Sequence, residues 1–103
     1  MGLLSPELEY LLPPLHSQDD EAEPMVYGHF LVPDYPWSYY VTEGQRQGSD
    51  YTFFGFLLGG EHEDDWRWST ERLSGLERLL VGRVVRDVTF TSGRLTDVVI
   101  LPL

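Results

Sequence analysis

The sequence predicts an α+β domain: an antiparallel sheet of about five strands, with an N-terminal helix and one amphipathic helix packed against it. Along the chain the local patterns run helix, several strands, helix, strand, an order typical of helices set against an antiparallel sheet. Three tryptophans, six tyrosines and five phenylalanines in 103 residues also favour a sheet, because flat rings pack well on pleated strands. This length predicts a single domain, residues 1–103, with one core.

The first predicted element is a helix that begins after Ser5. Ser5 is a favoured N-cap and Pro6 suits the first helical position. Leucines recur at helical spacing along this stretch, at positions 4, 8, 11 and 12. Pro13 and Pro14 end the helix. The polar segment that follows, HSQDDEAEP, has no apolar periodicity and is predicted to be an exposed loop.

Three strands are predicted next, in MVYGHFLV, WSYYVTE and YTFFGFLLGG. The turn signals in PDYP and GQRQGSD separate them, and such short connections favour an antiparallel meander. A short fourth strand is predicted in WRWS, with Trp66 and Trp68 on one face because side chains alternate along a strand.

The pattern then becomes helical in STERLSGLERLLVG, where leucines form one stripe. Ser69 or Thr70 is expected to cap this helix and Gly82 to end it. Gly75 weakens a helix by about 1 kcal/mol relative to alanine, and we interpret it as a point of close packing on the sheet. RVVRDVTF predicts another strand, and RLTDVVILPL a last strand or a tail packed on the core.

Several of these segments resemble successive blocks of a small bacterial, plasmid- and phage-borne family of unknown function. The blocks are LSPELEYLLPPL, MVYGHFLVPDYPWSYYVTEG, DYTFFGFLLG, STERLSGLERL and RVVRDVTF. They cover most of residues 3–90 in the family's order, although DDWRW stands where family members have a glycine-tyrosine-phenylalanine strand. The resemblance implies the fold and a mobile-element context. It implies no activity and no catalytic residues.

Charge is distributed unevenly along the chain, whose net charge is −10 with no lysine. Residues 1–65 hold thirteen acids and one arginine, whereas residues 66–103 hold four acids and six arginines. Nucleic-acid binding needs a dense basic footprint, so we expect no direct nucleic-acid binding. The acidic part should repel anionic membranes and attract basic protein surfaces, although acidity can also serve solubility alone.

The same composition bears on location. There is no cysteine, which fits a reducing compartment. No apolar run approaches the roughly 20 residues that a membrane helix needs, and the acidic N-terminus lacks the basic start of a secretory signal. We therefore expect a cytoplasmic protein without membrane attachment.

The densest acidic stretch, GGEHEDDW, does not have the pattern of a metal or acid–base site. Consecutive side chains diverge rather than converge, and His62 has no partner four residues away. No nucleophile stands out, because the chain lacks cysteine, lysine, a GxSxG elbow and a phosphate-binding loop. His29, in mid-strand, is interpreted as packed and hydrogen-bonded. No cofactor or metal is predicted.

These observations predict a non-enzymatic protein-binding domain. Its anionic surface would imitate nucleic acid and inhibit a host-defence complex, of the anti-restriction or anti-CRISPR kind. The alternatives are a structural or regulatory adaptor and a small metal-dependent enzyme; the oligomeric state stays open. The predicted partner-binding residues are Asp19, Asp20, Glu21 and Glu23 in the first loop, Glu61, Glu63, Asp64 and Asp65 in the second, and Trp66 and Tyr35.

Overall fold

The fold is a five-stranded antiparallel sheet with helices, as the sequence predicts, seen in a computed structural model that describes residues 2–59 and 66–99. The strands are β1 (Met25–Val26), β2 (Gly28–Val32), β3 (Tyr35–Gln47), β4 (Asp50–Gly59), β5 (Trp66–Arg72), β6 (Val85–Arg86) and β7 (Gly93–Arg94). The helices are α1 (Pro6–Leu11), α2 (Leu73–Arg78), which continues into a 3₁₀ turn (Leu79–Gly82), and α3 (Leu95–Val98).

Strand order in the main sheet is β5-β4-β3-β2-β6. Strands β2 to β5 form the predicted meander, each pairing with its neighbour in sequence. The chain then passes through α2 and the 3₁₀ turn and returns to the opposite edge, where β6 pairs with β2. The short strands β1 and β7 form a separate pair.

The first face of the sheet carries the main core. Leucines of the N-terminal segment and of α2 pack here against Phe30, Tyr39 and Phe53, all fully buried. The rings of Phe30 and Phe53 meet edge to face at 5.4 Å, a preferred aromatic geometry. Both predicted helices thus cover this face.

The second face carries a smaller core. Val26, Tyr40, Phe56 and Leu58 are buried there, and partly buried residues of the C-terminal segment pack on them: Phe90, Leu95, Val98 and Val99. Toward β5 the cover ends, and Trp66 and Trp68 remain 50% and 42% exposed. The second face is therefore closed in its middle and open along one edge.

The hairpin between β3 and β4 is longer than predicted. The segment GQRQGSD reads as a turn, yet the strands pair out to Gln47 and Asp50. Only Gly48 and Ser49 lie between them, and Gly48 has a φ of 64°, a conformation that glycine adopts readily. Pairing with a neighbour strand outweighs the weak strand preference of the polar residues.

Helix α2 begins later than predicted. Ser69 and Thr70 do not cap it, because β5 stays paired with β4 as far as Arg72. Asp50 instead receives hydrogen bonds from the N–H of Ser74 at 3.2 Å and from its hydroxyl at 2.6 Å. The close-packing interpretation of Gly75 is also wrong, since a Cβ there would meet no heavy atom within 4 Å.

The C-terminal third also departs from the prediction. In RVVRDVTF only Val85 and Arg86 form a strand, because Asp87 accepts the N–H of Thr89 at 3.1 Å and turns the chain. In the described part of RLTDVVILPL, Arg94 ends β7 and Leu95–Val98 form α3, and the segment packs on the second face, as the alternative of a packed tail predicts. Among the described residues, no helix has the length and apolar character to cross a membrane.

Candidate functional site

The acidic loop that follows α1 is held on the second face by a buried glutamate. Glu43 is only 2% exposed. Its Oε1 accepts the N–H of His16 at 2.7 Å and its Oε2 accepts the N–H of Gln18 at 2.9 Å. Both carboxylate oxygens are thus used, which offsets the cost of burying a charge.

Gln18 fastens the other end of the same loop. Its amide nitrogen donates to the carbonyls of Met25 and Thr42 at 3.1 and 2.9 Å, and its oxygen accepts the N–H of Met25 at 2.8 Å. The loop backbone is therefore held by Glu43 of β3 and by Gln18 of the loop itself. Its exposed acids, Asp19, Asp20 and Glu21, project outward from this anchored backbone.

An aromatic cluster lies along the open edge of the second face. Trp68 stacks on Phe54, with ring centroids 5.3 Å apart and planes 4° apart. Phe56 meets Trp66 and Trp68 at 5.9 and 5.4 Å. Both tryptophans occupy the same face, as alternation predicted, because they pair with Leu58 and Phe56 of β4.

The loop and the aromatic cluster form one concavity of about 290 Å³. We call it the acid–aromatic groove and define it by Asp19, Glu21, Glu43, Phe54 and Trp68. Its lining thus combines acidic residues with the stacked rings of Phe54 and Trp68. A groove of this composition can bind a cationic group that carries apolar surface, because the rings attract cations and the carboxylates accept hydrogen bonds.

The structure brings together only some of the predicted partner-binding residues. Asp19 and Glu21 lie beside Trp68 in the groove, and Trp66 is on the same face. Tyr35, 43% exposed, lies at the beginning of β3. It stands eight positions from Glu43 along an extended strand and does not belong to the groove.

Two further predicted acids lie on the same loop outside the groove. Asp20 is exposed. Glu23 accepts the N–H of Thr96 at 3.3 Å, and its carbonyl accepts a hydrogen bond from Arg94 at 2.9 Å, so it joins the loop to β7 and α3. The four acids of the second predicted cluster, Glu61, Glu63, Asp64 and Asp65, lie outside the described residues.

Glu43, Phe54 and Trp68 line the groove but were not among the predicted partner-binding residues. Strict alternation along β3 would put Glu43 on the first face with Val41. A register shift between these two residues moves Glu43 to the second face, and Gly44 then faces Tyr51 on the first. A β-bulge of this kind inverts the alternation beyond it, and no local sequence pattern marks it.

A second polar constellation lies nearer the β2–β6 edge. The Nε2 atom of His29 is 3.0 Å from the hydroxyl oxygen of Ser38, and its Nδ1 is 3.0 Å from Oδ2 of Asp87. The other oxygen of Asp87 accepts the N–H and the hydroxyl of Thr89 at 3.1 and 2.8 Å. We call Ser38, His29 and Asp87 the Ser–His–Asp chain.

Packing holds this chain in place. The His29 ring stacks on Tyr40, with centroids 4.5 Å apart and planes 7° apart, and Phe90 lies 5.9 Å away. The hydrogen bond from His29 holds the pKa of Asp87 below its usual value, and burial raises the pKa of Tyr40. The carboxylate is therefore ionised and the phenol neutral at pH 7.

A cleft of about 290 Å³ opens beside His29 and Asp87, lined largely by apolar side chains that include Leu8, Leu11, Val88 and Phe90. The prediction that His29 is packed and hydrogen-bonded is confirmed. The sequence analysis did not find its partners, because positions 29, 38 and 87 match no spacing motif and only strand pairing brings them together.

Within residues 2–59 and 66–99, no group of three or more histidine, aspartate or glutamate side chains is arranged to hold a metal ion. The EHEDD stretch lies outside these ranges. Comparison of the chain with protein-family models, with curated proteins and with solved structures finds no match. The resemblance to a mobile-element family therefore stays a prediction.

Proposed function

We propose that this protein is a small acidic binding domain that recognises a basic protein surface through the acid–aromatic groove. We further propose that its partner is a nucleic-acid-binding protein, such as a host-defence nuclease or surveillance complex, which it inhibits. One observation carries the proposal: Asp19 and Glu21 line the same concavity as the half-exposed ring of Trp68.

The chemistry of the groove supports a cationic ligand. An arginine or lysine side chain has an apolar stem and a charged end. The stem and cation would lie against Trp68, where cation–π attraction contributes about 0.5–2 kcal/mol. Asp19 and Glu21 would accept the charged hydrogen bonds. Tryptophan is also among the residues that contribute most to protein interfaces.

The loop's own hydrogen bonds support tight recognition. Because Glu43 and Gln18 already hold the loop backbone, binding would order few additional groups. Preorganisation of this kind raises affinity by lowering the entropy lost on association.

The net charge of −10 supports a partner whose surface normally binds nucleic acid. Carboxylates in place of phosphates would compete for the same basic groove, and the summed charge would speed association. Such binding should weaken as salt rises, since the Debye length shortens from about 10 Å at 0.1 M to about 3 Å at 1 M. We place this activity in the cytoplasm.

The test is affinity capture from bacterial lysate at low and high salt, followed by competition of the captured protein with duplex DNA. The groove variant Asp19→Asn/Asp20→Asn/Glu21→Gln removes the charges of the two loop acids that line the groove and of their exposed neighbour Asp20. The control Asp34→Asn/Glu77→Gln/Asp97→Asn removes three exposed charges elsewhere. We expect affinity for the captured partner to fall at least about tenfold, equal to about 1.4 kcal/mol, in the groove variant and to change little in the control.

The outcomes separate the parts of the proposal. Equal losses of affinity in both variants would mean that the net charge determines binding and that the groove does not contribute. Undiminished binding by both variants and by Trp68→Ala would place the interface elsewhere. A captured partner that DNA does not displace would contradict nucleic-acid mimicry while leaving the groove as the binding site.

A further inference from the structure

We propose that the Ser–His–Asp chain is a nucleophilic site that hydrolyses small apolar esters. Ser38 would attack, His29 would act as general base and Asp87 would orient the imidazole. This inference departs from the sequence prediction of a non-enzymatic protein. It is independent of the acid–aromatic groove, which lies toward the β5 edge of the same face.

The directions of the hydrogen bonds follow from the chemistry of the three groups. An ionised carboxylate only accepts hydrogen bonds, so the Nδ1–H of His29 donates to Asp87. In the imidazole form that carries its proton on Nδ1 alone, Nε2 has a lone pair to which the Ser38 hydroxyl, 3.0 Å away, would donate. This order of donor, base and orienting carboxylate is the one that activates serine in unrelated hydrolases.

Hydrogen bonds from its backbone and to its carboxylate hold Asp87 in the position that orients His29. Its N–H donates to the carbonyl of His29 at 2.9 Å, which ties it to β2. Thr89 occupies Oδ1 with two hydrogen bonds, leaving Oδ2 for the imidazole. These contacts, together with the hydrogen bond from His29, keep the carboxylate ionised and fixed.

The imidazole cannot turn away from Ser38 without losing its stacking on Tyr40. The Tyr40 hydroxyl interacts with Ser38 through a hydrogen bond, and burial raises its pKa. It therefore remains a proton donor at neutral pH. A donor of this type beside the nucleophile can stabilise the oxyanion that forms when a carbonyl is attacked.

The cleft lined by His29 and Asp87, which Ser38 itself does not line, is proposed to hold the acyl group of the substrate. Its largely apolar lining favours an uncharged acyl group of a few carbons or one aromatic ring, since apolar clefts bind such groups by excluding water. Glu7 and Arg86 also line the cleft and would hydrogen-bond a polar alcohol portion.

The proposed reaction conserves atoms and charge. The Ser38 oxygen bonds to the carbonyl carbon while its proton passes to Nε2 of His29. The tetrahedral intermediate then breaks its bond to the alcohol oxygen, which leaves with that proton. Water attacks the acyl-serine, His29 takes the water proton, and the acid is released as Ser38 recovers its hydrogen.

The experiment uses the full chain with two probes, p-nitrophenyl butyrate and a fluorophosphonate that traps activated serines. We expect one phosphonyl adduct by intact mass, mapped to Ser38 by peptide sequencing, together with release of p-nitrophenolate. Ser38→Ala should lose both signals. His29→Gln should slow labelling by at least about 100-fold, the usual contribution of a general base.

The controls are variants of exposed residues outside the site. Ser49→Ala, in the β3–β4 turn, and Glu77→Gln, in α2, should label as the wild type does. Circular dichroism establishes that each variant is folded. If His29→Gln does not fold, Asp87→Asn replaces it, with slower labelling expected. A folded wild-type protein without an adduct on Ser38 would overturn the proposal, as would labelling at an undiminished rate in a folded variant of His29 or Asp87.

Discussion

The two faces of the sheet are covered in different ways. On the first face, apolar side chains from α1, α2 and the strands exclude water, and Phe30, Tyr39 and Phe53 are fully buried. On the second face, the apolar cover reaches only the middle, and polar groups hold the segments around it. Because the first face holds the larger buried cluster, the second face can leave tryptophans exposed near carboxylates along one edge.

Polar burial on the second face is accompanied by complete hydrogen bonding. Glu43 and Gln18 anchor the acidic loop, and His29 anchors the turn at Asp87. Among the described residues, no buried side-chain nitrogen or oxygen lacks a partner. Hydrogen bonds to charged groups are directional, so they set the positions of surface groups more closely than apolar packing does.

Truncating one ring on each face should give the largest contrast. Phe30→Ala removes a fully buried ring and is expected to lower the free energy of unfolding by about 3–5 kcal/mol. Trp68→Ala removes a ring that is 42% exposed and stacks on Phe54. We expect it to lower the free energy of unfolding by about 1 kcal/mol. Urea unfolding followed by circular dichroism measures both. Equal losses would show that the second face is as essential to the core as the first.

Replacing the buried carboxylate should have an intermediate effect. In Glu43→Gln an amide –NH₂ replaces a carboxylate oxygen that accepts a backbone N–H. The free energy of unfolding should therefore fall by about 1–3 kcal/mol. The loop would loosen, so amide hydrogen exchange at His16 and Gln18 should quicken. Exposed Glu77 offers the matched control, Glu77→Gln. Unchanged exchange in Glu43→Gln would mean that Gln18 alone suffices to hold the loop.

Acidification should weaken the attachment of the Asp87 turn. The resulting loss in the free energy of unfolding should be smaller than that caused by Glu43→Gln. Because the pKa of Asp87 is lowered in the folded state, chiefly by the hydrogen bond from His29, unfolded chains bind more protons at this site. Its stabilisation is present above the unfolded pKa of about 3.9 and is lost as the pH falls through the lowered value.

The check on this effect is the free energy of unfolding measured from pH 6 to pH 2. Asp87→Asn should be less stable near neutrality and should lose less on acidification than the wild type. Asp50→Asn should behave alike at the β3–β4 hairpin, because the hydrogen bond from the Ser74 hydroxyl lowers the pKa of Asp50. If the free energy of unfolding of Asp87→Asn fell with pH as steeply as that of the wild type, the contact between His29 and residue 87 would not depend on the charge.

Much of the local structure could be predicted. Ser5 caps α1 with its side chain, as its position before Pro6 indicated, and Trp66 and Trp68 share a face as alternation requires. These features depend on residues a few positions apart. The end of β5, the bulge before Glu43 and the cap of α2 by Asp50 depend on neighbouring strands, and the prediction missed all three.

In the candidate sites too, single residues could be predicted from local patterns, but the contacts between them could not. The sequence indicated Asp19 and Glu21 as partner-binding residues by their charge, and it placed Trp68 only on a strand face with Trp66. It did not indicate that they share a groove, because their meeting requires the register of β3, β4 and β5.

The amino-acid sequence by itself determined the fold class, the α1 helix, the series of strands and the excess of negative charge. These follow from periodicity, turn preferences and composition, which act within a few residues or over the whole chain. Only the tertiary structure decided which acid is buried, where the aromatic rings meet the carboxylates, and that Ser38, His29 and Asp87 form one chain. Such contacts join residues 9 to 58 positions apart, and strand pairing, with its bulges, selects them from many alternatives of similar local energy.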